Sequence, residues 1–245
     1  ITVKQYETER VAVFNYDMID SPKTDPIVAE CRGLILSMDD CSVVSRSFDR
    51  FFNFGEAGSE SFDFNGATAY KKADGSLVKI YWSDYKESWV VSTRGTAFAE
   101  GPHPHGETFD YHIRRSLGCD EVNIDGGHHE WTFLFEWCSP INRIVTPYDR
   151  DMMVLLGARN NTTGEFICPS DADAKLPAFQ YQTCECYQVD SIEECHQLMD
   201  GMGSLEEGLV VVSANGDRIK IKKSTYVAAH RLRGEGSLTP KNIAN

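Results

Sequence analysis

Short runs rich in β-branched and aromatic residues, separated by clusters of Gly, Pro, Asn, Asp and Ser, dominate this chain. Residues 11–16, 28–37, 43–48, 67–70, 77–82, 89–93, 131–138 and 152–158 read as β-strands on that pattern. The intervening stretches 17–26, 101–106 and 120–130 are polar or rich in Gly and Pro and read as loops. Helical spacing is rarer. Phe109, His112, Ile113 and Leu117 predict a helix over 107–118. Ser191 with Glu194 forms a capping box ahead of Ile192, Cys195, Leu198, Met199 and Met202, predicting a helix through about Gly201. Residues 209–212 are apolar throughout and read as a buried strand entered through Glu207-Gly208. Residues 218–223 alternate cation with Ile. Thr239-Pro240 has the form of an N-cap followed by Pro at the first helical position. The element it opens has only a few residues before Asn245, as at the start of a further domain.

Composition bounds the class. The 245 residues are 41% hydrophobic and 25% charged, which describes a globular chain with a core large enough to fold without staples. The formal net charge of -13 argues, taken over the whole chain, against nucleic-acid binding. The cations are regional, however, gathered at 32–50, 71–79 and 218–233, and a local basic groove can sit on an acidic body. None of the 8 cysteines forms a Cys-x-x-Cys pair. Cys184-x-Cys186 and Cys195-His196 are the close groupings, so reduced, mostly buried thiols are expected rather than a zinc site. Residues 1–14 mix Lys, Glu and Arg, and no run approaches a membrane span. These features lead to the expectation of a cytoplasmic protein with no membrane partner.

Six stretches carry candidate chemistry. Lys72-Ala73-Asp74-Gly75-Ser76 lies between two strands, and a lysine on such a turn is either solvated on a hairpin or an amine nucleophile activated by cationic neighbours and desolvation. Arg32, in Glu30-Cys31-Arg32-Gly33, lies inside a predicted strand and wants an acidic partner or a phosphate unless it faces water. Arg50-Phe51-Phe52-Asn53 combines aromatic faces with a cation, as core or as a base platform. Glu136, alone among Phe, Trp and Leu, needs a cation, a hydroxyl pair or a metal. Glu207-Gly208 precedes a buried strand. Lys220 and Lys222 project from one face of theirs, suited to a polyphosphate or guarding a sheet edge.

Taken in order, with Tyr226 closing the set, these motifs resemble the covalent nucleotidyltransferase superfamily, and most closely the RNA ligase 1 family of T-even bacteriophages. Glu136-x-x-Ser139-Pro140-x-Asn142-Arg143-Ile144-Val145 and Phe51-Phe52-Asn53 favour that branch. The resemblance spans roughly residues 10–230. It implies an α+β fold, a nucleotidyltransferase (ATP-grasp-like ligase) domain with antiparallel sheets flanked by helices around a nucleotide cleft. It implies an adenylyltransferase domain over 1–230, with 231–245 as a linker or the start of a C-terminal domain.

The activity implied is ATP-dependent RNA ligation. Lys72 takes AMP from ATP, and AMP passes to an RNA 5′-phosphate. A 3′-hydroxyl then displaces it, in repair of RNA, including tRNA. Lys220 and Lys222 hold the α-phosphate, and Tyr226 supports their strand. Glu207 contacts the metal, Mg2+ or Mn2+, or the reacting lysine. Arg32 sits near the ribose or phosphates, Phe52 helps build the nucleotide pocket, Gly75 lets the backbone approach, and Glu136 binds the ribose hydroxyls. Lys71 and Val210 join the nucleotide-binding set. Arg50 and Arg94 stand where the family usually has Lys and are assigned to the β- and γ-phosphates of ATP or to the RNA phosphate. The partners expected are ATP and RNA ends, for a monomer in a host cytoplasm if phage-encoded. The alternatives are a GTP-using capping guanylyltransferase, a DNA ligase, or a nucleotide- or RNA-binding module that does not ligate.

Overall fold

In a computed structural model, which describes residues 1–22, 24–124 and 126–233, the chain packs as two compact units that interleave along the sequence. The first comprises Ile1–Arg50, Ser76–Trp137 and Asp151–Thr183. The second comprises Phe51–Gly75, Cys138–Arg150 and the described residues from Cys184 onward. The Thr239-Pro240 element and most of 231–245 lie outside the described residues.

The first unit holds two larger sheets. One runs β1 (Thr2–Tyr6), β2 (Val11–Asn15), β3 (Arg32–Ser37) and β4 (Val43–Ser45) in sequence order, all antiparallel. The other contains β7 (Ser76–Ser83), β8 (Ser88–Thr93), β11 (Trp131–Cys138), β12 (Met152–Asn160) and β13 (Phe166–Ile167) in the order β13-β12-β11-β7-β8, with β14 (Gln182–Thr183) parallel to β12. Val11, Val13 and Ile35 pack on Tyr81 and Val90, so the two sheets share a core. The opposite face of β11 meets α2 (Phe109–Leu117), where Trp137 Nε1 donates to Ser116 Oγ at 3.0 Å. Burial on both faces explains why β11 reads as a continuous apolar run rather than an alternation.

The second unit is one sheet in the order β15-β6-β16-β17-β5: β15 (Cys186–Val189), β6 (Ala67–Lys71), β16 (Gly208–Val212), β17 (Arg218–Lys222) and β5 (Phe52–Asn53). Ala67, Ala69, Leu209, Val211, Ile219 and Ile221 turn one face into a core with Cys195 and Met199 of α4 (Ile192–Asp200). Period two then dictates what the other face presents: Tyr70, Val210, Lys220 and Lys222. Lys223, just beyond β17, donates from Nζ to the carbonyls of Met199 and Met202, both at 2.7 Å, at the C-terminal end of α4.

Several sequence expectations are corrected. β6 and β7 do not pair with each other but belong to different sheets, so the Lys72 segment is a connection and not a hairpin. Residues 28–30 are helical: α1 (Pro26–Glu30) starts there because Asp25 accepts from the N–H groups of Ile27 and Val28 and Pro26 fits the first turn. The strand beginning at residue 43 ends at Ser45. Residues 101–106 fold into a small ladder, β9 (Pro102–His103) against β10 (Gly106–Thr108). Outside the predicted set are β1, β5, β13, β14, β15, α3 (Pro169–Asp173) and α5 (Ser224–Arg233). No disulfide forms, but Cys31, Cys138 and Cys195 alone are buried, while Cys41 and Cys186 are exposed, so the thiols are not mostly buried. Among the described residues no helix is long and apolar enough to cross a membrane.

Candidate active site

Lys72 follows β6 directly, and its backbone N–H donates to Gly208 O at 2.9 Å. That bond ties the lysine to the start of β16, where Glu207 sits. Gly208 has φ +131, and a Cβ there would lie 2.1 Å from Ile221 O. Only glycine allows this approach of β16 to β17. Glu207 is thereby held at the strand edge with its side chain 5% exposed. Its Oε2 is 2.6 Å from Lys72 Nζ and its Oε1 is 2.6 Å from Lys222 Nζ. One buried carboxylate thus sits between two ammonium groups. The residues alone led to an expectation of cationic neighbours; the observed immediate partner of Lys72 is the anion Glu207, one of the two contacts the resemblance implied for that carboxylate.

The segment after Lys72 is fixed by Asp74, which is 3% exposed. Its Oδ2 accepts from the N–H groups of Val145 and Thr146 at 2.8 and 2.7 Å, and its Oδ1 accepts from Tyr226 Oη at 2.6 Å. Its own N–H donates to Tyr148 Oη at 3.1 Å. Thr146 Oγ1 continues the chain of bonds to Leu205 O at 2.8 Å. Burial, then the bond to Asp74, pushes the Tyr226 hydroxyl well above the ordinary tyrosine range, so it remains a donor. Sequence reading treated Asp74 as a turn former. Its acceptor role depends on residues over 70 positions away, and the Lys-x-Asp spacing alone does not reveal them.

Lys220 lies on the Lys222 face of β17, with its ammonium 5.1 Å from the centre of the Phe51 ring. Val210 stands between Tyr70 and Lys220 in the ladder. Lys71 pairs with Glu206 at 2.5 Å. Burial pushes the Glu206 carboxyl up, but the hydrogen bonds from Lys71 and the Gly203 N–H outweigh it and hold it below its ordinary value. Phe52, beside Ile219, packs its ring over Gly58. Gly75 ends the Asp74 turn, partly exposed. The second unit therefore gathers Lys71, Lys72, Glu207, Val210, Lys220, Lys222 and Tyr226.

The first unit gathers Arg32, Arg94 and Glu136. Arg32 lies at a register shift between β2 and β3, and burial lowers its pKa, with Tyr16, Arg94 and Glu136 as electrostatic neighbours. Its Nη1 is buried and has no hydrogen-bond partner among the described residues. The Arg94 guanidinium lies 4.8 Å from the Tyr16 ring centre, and its Nε donates to Asn15 Oδ1 at 3.3 Å. A Cβ on Gly33, at φ +77, would lie 2.9 Å from Arg94 O. Beneath this group Lys79 is fully buried and donates to Gly33 O; burial pushes its pKa down to about 7. Its place on β7, among residues that read as a plain strand, gave no signal of that. Arg50 also belongs to this unit, its N–H donating to Ala29 O at 2.7 Å.

A lysine ion-paired to a buried carboxylate, with further lysines on the neighbouring strand, suits a substrate that carries phosphate. The fold is that of the ATP-dependent ligases. The chain superposes on an archaeal ATP-dependent RNA ligase with a TM-score of 0.62 at 15% identity, over 89% of this chain and 56% of that one. It belongs to the T4-type RNA ligase family: residues 30–226 match the family model described as RNA ligase. A protein of Autographa californica nuclear polyhedrosis virus, named as a bifunctional polynucleotide kinase/RNA ligase, is 36% identical over 94% of this chain and 35% of its own length. The RNA ligase of Rhodothermus phage RM378 is 25% identical over 88% of this chain and 62% of its own length. The chain thus spans between a third and three fifths of the length of these relatives.

Proposed function

We propose that this chain is the adenylyltransferase part, over residues 1–230, of an ATP-dependent RNA ligase. The observation that carries the reading is the Glu207 carboxylate held 2.6 Å from both Lys72 and Lys222. An amine must lose its proton before it can attack phosphorus, and Glu207 is within reach to accept that proton. The Lys72 amine attacks the α-phosphorus of ATP. A P–N bond forms, the bond to the bridging β-phosphate oxygen breaks, and pyrophosphate leaves. Lys222 and Lys220 stabilise the charge that develops on the α-phosphoryl oxygens. An RNA 5′-phosphate oxygen then attacks the same phosphorus, the P–N bond breaks, and the lysine takes back a proton. In the last step a 3′-hydroxyl attacks the RNA 5′-phosphorus and AMP departs.

The donor set fits a metal that arrives with the nucleotide. Glu207, both of whose oxygens are ion-paired to lysines in this structure, is the carboxylate that would hold it, and among the described residues no group of three ligands is arranged for a metal. A bound Mg2+ or Mn2+ would neutralise phosphate charge there. The buried, partnerless Nη1 of Arg32 fits an acceptor supplied by a ligand, such as a ribose or phosphate oxygen. Arg50, Arg94, Glu136, Phe52, Lys71, Gly75 and Val210 keep the nucleotide-binding roles the resemblance implies. RNA ends, tRNA among them, are the proposed substrates.

The test is intact mass after incubation with ATP and Mg2+. The wild-type chain is expected to gain one AMP and Lys72→Ala none. Covalent label from GTP and none from ATP would reject the assignment, as would ATP binding with no adduct.

A further inference from the structure

The second unit holds a cleft of about 460 Å3 on the outer side of β17, running from Lys220 and Lys222 toward α4 and α5. His196 of α4 and His230 and Arg231 of α5 line it, with Phe54, which is 45% exposed, at its edge. Among the described residues no Asp or Glu lines it. On a chain of net charge -13, a concavity whose described lining has three basic side chains, two imidazoles and no carboxylate is a local reversal of sign. Lys222 belongs both to this cleft and to the Glu207 ion pair, so the cleft adjoins the proposed reacting centre at that residue.

We propose that this cleft is a subsite for single-stranded RNA, holding the sugar-phosphate backbone of the 5′-phosphorylated strand as its end reaches Lys222. Cations spread over a strand and a helix match one charge per phosphodiester. A metal-bound triphosphate concentrates its charge and brings a cation that seeks carboxylates, which the described lining of the cleft lacks. Exposed Phe54 offers a face on which a base can stack. The assignment rests on the ligase reading, yet the two can fail separately.

The experiment uses Arg231→Glu, His196→Glu, the double variant and Arg231→Lys; both wild-type residues are exposed, so the substitutions disturb little packing. A fluorescein-labelled, 5′-phosphorylated 12-nucleotide RNA is bound at several salt concentrations and read by anisotropy. Self-adenylylation of Lys72 with labelled ATP is measured without RNA. The double variant is expected to bind RNA at least tenfold more weakly. Arg231→Glu is expected to flatten the log K against log salt slope by about 0.7, the loss of one single-strand phosphate contact. Arg231→Lys keeps both affinity and slope, and adenylylation stays within twofold throughout.

RNA affinity and salt slope unchanged in the double variant would overturn the subsite, as would wild type that binds no RNA. Loss of adenylylation with RNA binding intact would also overturn it, marking the cleft as a triphosphate pocket. Wild type that binds RNA through the cleft but takes no AMP would sink the ligase reading and leave the subsite standing.

Discussion

Replacing Asp74 by Asn tests how the reactive lysine is held. The two side chains have nearly the same volume, so packing is preserved and the hydrogen-bond pattern alone changes. In the native protein one carboxylate accepts from Val145 N–H, Thr146 N–H and Tyr226 Oη. The amide oxygen can keep both backbone donors, with the NH2 group turned to Tyr226 Oη, which must then accept and leave its own buried O–H without a partner. Two charge-assisted bonds become neutral ones and one hydroxyl proton is orphaned, so a loss of about 2–3 kcal/mol is expected. For a chain of this size that corresponds to a fall in melting temperature of roughly 7 °C. Asp74 lies two residues from Lys72, so the displaced turn should misplace the nucleophile and slow self-adenylylation by about 100-fold. Tyr226→Phe removes one of the three bonds and should cost only about 1–2 kcal/mol. Thermal melting by circular dichroism and labelled-ATP adenylylation read both effects. An Asp74→Asn protein melting within 2 °C of wild type and adenylylated at the normal rate would refute the account.

Two further outcomes follow from the backbone and the buried charge. Gly208→Ala places a Cβ against Ile221 O at a φ of +131 and should destabilise by about 3 kcal/mol or more. Gly95→Ala, with open space around it, should melt within 2 °C of wild type. Lys79 has its folded pKa lowered from 10.5 to about 7. Between those values the unfolded chain binds the extra proton, so the contribution of Lys79 to stability rises with pH across that window. The difference in unfolding free energy between wild type and Lys79→Met should therefore shift by about 2 kcal/mol in favour of wild type from pH 7 to pH 8.5. A pH-independent difference in denaturant melts would contradict the burial argument.

Legibility varied with the range of the interactions. The strand at 131–138 and the helices near 107–118 and 191–201 were visible because their signals are local: a long apolar run, a helical repeat, a capping box. Residues 28–30 were misread because Val28 and Ala29 extend an apolar run, while Asp25 and Pro26, three and two residues upstream of Val28, start a helix. The same-face projection of Lys220 and Lys222 was legible from period two alone. The partner of Lys72 was not legible from spacing, since Glu207 lies 135 positions along the chain; the family resemblance offered that contact as one of two roles for Glu207.

Sequence by itself determined which side chains are proposed to carry the chemistry. Lys72, Glu207, Lys220 and Lys222 are set by residue type and order, and the two last by strand period. Tertiary structure decided how they are electrically arranged. It put one carboxylate between two ammonium groups, made Asp74 an acceptor of three hydrogen bonds, and buried Lys79 beneath Arg32 and Gly33 at the start of β3. The physical reason is that distance and burial set the strength of a charge interaction, and both are fixed only when strands far apart in the chain pair in one register.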